Sequence, residues 1–248
     1  MIKFFRHIRR SLIQENKMGK YFKYAIGEIF LVVIGILIAI QLNAWRNNTL
    51  NTKQKQNVLK SLKAEFRSNK SQLDTVLVYQ NKIQEAYPIV MQLIKKDTAA
   101  TDNSIYAEPC LNLGYAWTFN PINGALRSAI SSGEIHLIKN EKLTELLFSW
   151  EDIVKDSEEE GNRAIHHKDA SYEFRQEYIR VNDALVGIVP GLIPSNYISN
   201  YKSLFKDPLF EDYASLCYLD SRGYTNELNV IKKHNLEILK LIEQELNN

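Results

Sequence analysis

Hydrophobic and polar positions along the chain fall into two regimes. Residues 25–45 read AIGEIFLVVIGILIAIQLNAW, and within them residues 29–40 are apolar or glycine without interruption. At about 1.5 Å per residue, a helix of this length rises roughly 31 Å, the thickness of a bilayer's hydrocarbon core. Tyr24 before the run and Trp45 at its end place amphipathic rings at headgroup level. The expectation is a single transmembrane helix over residues 24–45. A cleavable signal peptide fits less well, because the leader is long and no small-x-small site follows at a suitable distance.

From residue 59 the period becomes three and four. Leu59, Leu62, Phe66, Asn69, Leu73, Val76, Gln80, Ile83, Tyr87, Val90 and Ile94 form one stripe, broken only by Asn69 and Gln80. This predicts one long helix, the spine of an intramolecular bundle or one strand of a homomeric coiled coil, with a kink or break before Pro88. Residues 97–120 read as a connection. Asn120 and Pro121 form a cap-and-proline start, Gly133 suits a left-handed stop, and an extended piece is expected over 134–138. Leu143, Leu146, Leu147, Trp150, Ile153 and Val154 mark one face of the next helix, and a more polar helix is expected over 157–183. Residues 187–200, rich in Pro and Gly, predict a loop over a bundle end. Asp207 and Pro208 repeat the start signal for a helix stopping at Gly223. A last helix over 226–246 presents Leu228, Ile231, Ile238, Leu239 and Ile242 on one side. With few strand signals, the fold class is all-α: an N-terminal transmembrane helix, then a helical domain over 46–248 with one long membrane-proximal helix.

Charge gives this architecture a direction. The 248 residues carry 31 Lys+Arg and 29 Asp+Glu, and a net charge of +2 offers no global field for nucleic acid. The balance conceals an asymmetry. Residues 1–23 hold seven basic side chains and one acid, whereas residues 46–248 are net −3. Ile2, Phe5, Ile8 and Leu12 recur at helical spacing among those basic residues, which predicts a basic amphipathic cytoplasmic segment on an anionic leaflet. The 18 residues after the span carry five Lys/Arg against seven before it. The positive-inside rule then puts the N-terminus in the cytoplasm of a Gram-negative cell and residues 46–248 in the periplasm.

Candidate chemistry is sparse. Glu28 is a carboxylate near the cytoplasmic edge of the span, where it either snorkels and pairs or serves an ion-linked role. Gly27, Gly35 and Ala39 offer small positions for contact with a partner helix or a second copy, the last two as a small-xxx-small pair. Cys110 and Cys217 are candidates for a disulfide in an oxidising compartment. Tyr106, Tyr115, Trp117 and Phe119 form an aromatic stretch, a candidate ligand or partner loop. Glu158, Asn162 and His166 share a helical face, without the two-His spacing of a zinc site. No Gly-rich phosphate loop, G-x-S-x-G elbow or C-x-x-C occurs, so no catalytic, cofactor or metal residue is predicted and a non-enzymatic protein is expected.

The run Tyr24-Ala25-Ile26-Gly27-Glu28-Ile29, continued by Leu31 through Ala39 and closed by Gln41, Asn43 and Trp45, resembles an uncharacterised family of single-pass bacterial membrane proteins, a domain of unknown function. A weaker match runs from Leu126 through Ser132-Gly133 to Leu137-Ile138-Lys139-Asn140. Members usually carry Asn after the Trp, where this chain has Arg46. The resemblance implies a basic N-terminus, a membrane helix and a helical outer region, and it implies no activity. The resulting expectation is a membrane-anchored periplasmic scaffold or interaction protein. Two other readings stay open: a periplasmic sensor binding a small ligand, and an ion-coupled subunit using Glu28.

Overall fold

The computed structural model describes residues 18–96, 104–114, 117–186 and 188–247. Among the described residues every regular element is helical, as the periodicity predicts. In chain order they are α1 (Met18–Lys96), α2 (Ser104–Asn112), α3 (Gly124–Ser131), a 3₁₀ turn (Glu134–Leu137), α4 (Glu141–Arg175), α5 (Val181–Leu185), α6 (Tyr201–Lys206) and α7 (Pro208–Asn247). The chain divides into two compact units, Met1–Gln56 and Asn57–Asn248, and α1 contributes to both.

The first unit contains one helix that is long and apolar enough to cross a membrane. Among the described residues its apolar side chains are exposed: Phe30, Leu31 and Trp45 are 68%, 65% and 72% exposed. Residues 1–17 of the predicted amphipathic segment lie outside the described residues.

The second unit has two cores. The larger takes Leu59, Leu62, Phe66 and Leu73 from α1, Leu143, Leu147 and Trp150 from α4, and Leu228, Ile231 and Ile238 from α7. Phe66 meets Trp150 edge-on, with ring centroids 4.9 Å apart. The smaller gathers Ile83 and Val90 of α1, Tyr106 and Cys110 of α2, Tyr201 and Leu204 of α6, and Phe210 and Cys217 of α7. The α1 stripe from Leu59 to Gln80 is therefore the buried face the spacing predicts, Asn69 and Gln80 included.

Several boundaries differ from the sequence reading, each for a local reason. α1 runs through Pro88 without a break; Pro88 lies on the exposed face, where water can take the carbonyl its missing N–H frees. α2 occupies part of the expected connection and buries Tyr106, Ala107 and Cys110. α3 begins at Gly124 rather than Pro121, and Asn123 gives it no side-chain cap. Glu65 of α1 supplies the cap instead, accepting from the N–H groups of Ala125 (2.6 Å) and Leu126 (3.0 Å). Asn123 Oδ1 meanwhile takes the Trp150 indole N–H at 2.9 Å.

Gly133 does adopt the predicted left-handed turn, with φ 75°. The residues after it form a 3₁₀ turn rather than an extended piece, and three residues per turn put Ile135 and Ile138 on one buried side. α4 and α7 are each continuous where two helices or a stop at Gly223 were expected. Their glycines mark close approach instead. A Cβ at Gly161 would sit 3.3 Å from the Tyr224 ring, and one at Gly223 would sit 2.9 Å from Glu160 Oε2. Asp207 and Pro208 open α7 as predicted, with Asp207 Oδ1 accepting the Leu209 N–H at 3.0 Å. The loop of residues 187–200 is tied at its C-terminal end: Asp183 accepts the Ser199 N–H at 2.9 Å and the Tyr178 carbonyl accepts the Asn200 N–H at 2.8 Å. Within it Ile193, Tyr197 and Ile198 are exposed.

Candidate functional site

In the first unit, among the described residues nothing beyond the local helix backbone lies within 4 Å of a Cβ added at Gly27 or Gly35, and Ala39 is exposed. The small positions predicted for helix contact are thus accessible to a partner. Glu28 is half-buried on the same helix, and Trp45 stands exposed at its end. Tyr24 is helical, and its side chain lies outside the described residues, as does Tyr115.

The described aromatics of the 106–119 stretch do not converge on one pocket. Tyr106 packs in the smaller core, edge-on to Phe205 at 5.3 Å. Phe119 packs in the larger core, 6.3 Å from Trp150, and its N–H donates to Tyr224 Oη at 2.8 Å. Trp117 stacks on Tyr79 at 4.4 Å. Trp117 and Phe119 fasten the segment between α2 and α3 to the long helices, and Tyr106 packs α2 on α6. His167 likewise has a structural partner, Asp220 on α7, at 2.6 Å.

Cys110 and Cys217 are both buried free thiols in the smaller core; the candidate disulfide is not formed, and both pack as small apolar residues. Burial pushes the Cys110 thiol up to about 12 and raises Cys217 as well, so both stay protonated. The charged group facing both is Arg175.

Arg175 carries no mark in the sequence, yet it is the most unusual side chain of the domain. It is the last residue of α4, where the helix dipole favours a cation, and it is only 7% exposed. Its Nε–H donates to the Ser171 carbonyl at 3.2 Å, and an Nη1–H donates to the Cys110 carbonyl at the end of α2. Its Nη2 occupies room that only glycine leaves: a Cβ at Gly114 would lie 2.7 Å away. The groups facing it are the Cys110 and Cys217 thiols and the Tyr172 and Tyr201 phenols. Among the described residues no carboxylate lies within the 4.0 Å of an ion pair.

Arg175 forms part of the wall of a partly open cavity of about 530 Å³. Leu111, Ile179, Ala184 and Leu185 give it apolar surface, and Tyr201 closes one side. The Tyr201 hydroxyl is buried without a hydrogen bond of normal geometry, its polar neighbour being the Ser199 side chain.

A family model described as a family of unknown function (DUF6090) matches residues 28–148. The similarity therefore begins within the apolar run of α1 and ends inside α4, before Arg175. No curated protein and no solved structure matches this chain.

Proposed function

We propose that the chain is a membrane-anchored scaffold or interaction protein in which residues 24–45 span a bacterial inner membrane and the helical domain of residues 46–248 lies in the periplasm. The observation carrying this reading is the uncovered apolar run. A helix apolar around its whole circumference, with Ile29, Phe30, Leu31 and Leu37 all exposed, is stable only where the surrounding medium is itself apolar. The excess of Lys and Arg before the run supports a cytoplasmic N-terminus. Three buried polar groups of the larger core serve structure, which suits an interaction role: Glu65 caps α3, Asn69 holds Ile122, and Asn235 donates to the Phe66 carbonyl.

Reporter fusions at Asn248 test the orientation. An alkaline phosphatase fusion is expected to be active and a fluorescent protein that matures only in the cytoplasm to be dark. The opposite pair of signals would reverse the orientation. The Arg175 cavity favours a second capacity, binding of a small ligand.

A further inference from the structure

A guanidinium stays protonated at any pH the fold tolerates, and a buried charge is normally paired. Arg175 is buried against neutral thiols, phenols and carbonyls, at the edge of a space large enough for a small molecule. We infer that the cavity beside Arg175 binds a small amphipathic carboxylate, its carboxylate on the guanidinium and its apolar body against Ile179, Ala184 and Leu185. This site is independent of the membrane reading.

The donor inventory supports this class. A guanidinium has five N–H donors, and the Ser171 and Cys110 carbonyls take two of Arg175's. The remaining N–H groups lie on Nη1 and Nη2, and charge-assisted bonds from such groups to a carboxylate are the strong ones. Tyr201 adds a buried hydroxyl on the same cavity wall. Lys82 and Glu108, also on the wall, carry opposite charges. No carboxylate is among the groups that face Arg175, and a monoanion supplies the missing partner. Its apolar wall, extended by Ile188 at an exposed edge, rewards a hydrocarbon body that phosphate and acetate lack.

The test is calorimetric titration of the full chain in phosphatidylcholine nanodiscs, with empty nanodiscs as the blank. The probes are octanoate, acetate, 1-octanol and inorganic phosphate. Octanoate is expected to bind saturably, and each of the other three roughly tenfold or more weakly. Arg175→Met is expected to weaken octanoate by about tenfold or more. Because Arg175 also holds the Cys110 carbonyl, Ile188→Glu supplies a separate arm. Its carboxylate at an exposed position should cause a similar loss while thermal melting stays unchanged. Saturable octanoate binding that is lost in the folded variants establishes the site. The inference is overturned if octanoate heats do not saturate, if 1-octanol or phosphate matches octanoate, or if either folded variant keeps the wild-type affinity.

Discussion

Asn69 accepts the Ile122 N–H and donates to the Ile122 carbonyl, both at 2.8 Å, pairing a side-chain amide with a peptide as a neighbouring strand would. Gln80 is less well matched: its Nε2 donates to the Trp117 carbonyl at 3.3 Å and its Oε1 is buried without a partner. The two substitutions should therefore differ. Asn69→Leu strands both Ile122 groups and should cost about 2 kcal/mol, whereas Gln80→Met removes one long bond together with one orphaned acceptor and should stay within about 1 kcal/mol. Urea titration of the helical signal measures both, and equal losses would mean that Asn69 does not anchor the loop. These two residues are visible in the sequence only as gaps in an apolar stripe. Their partners are backbone atoms far along the chain, which periodicity does not encode. Arg175 was illegible for a similar reason: its burial depends on Gly114 and on the end of α2.

At the scale of elements, apolar spacing located the buried faces of α1, α4 and α7, and glycine and proline read as punctuation held at Gly133 and Pro208 but not at Pro88 and Gly223. Gly161 and Gly223 lie inside long helices at their mutual contact. Alanine gains about 1 kcal/mol over glycine in a helix interior, so the neighbour decides the sign. At Gly223 the neighbour is the end of the flexible Glu160 side chain, and Gly223→Ala should stabilise by up to about 1 kcal/mol. At Gly161 it is the ring of Tyr224, buried and bonded to the Phe119 N–H, so Gly161→Ala should destabilise. Thermal melts of the two variants should shift in opposite directions.

The α1–α7 contact also responds to acid. Partial burial alone would raise the Asp74 carboxyl, but Lys232 of α7 and Lys70 hold it below its ordinary value, at 2.6 and 2.7 Å. A depressed carboxyl contributes stability above its unfolded value and loses it as pH falls through the folded one. Asp74→Asn should therefore flatten the loss of stability below about pH 4 and leave that limb otherwise intact. Melting temperatures across that range check this, and an unchanged acid limb would remove Asp74 from it.

For the whole molecule, the clearest division was present in the sequence from the start: an apolar run whose side chains are exposed among the described residues, and an amphipathic remainder that builds two cores. Composition showed the first because an all-round apolar helix needs no tertiary partner to be recognised. The cavity could not be read that way, since its wall draws on α1, α2, α4, α5, α6 and the loop after α5. Alkaline carbonate extraction of membranes from cells expressing the full chain, beside a variant lacking residues 25–45, tests the membrane reading most directly. The full chain should remain in the pellet with integral proteins, and the deletion variant should appear in the supernatant with its helical signal retained. Full release of the intact chain by carbonate would contradict a membrane-spanning helix.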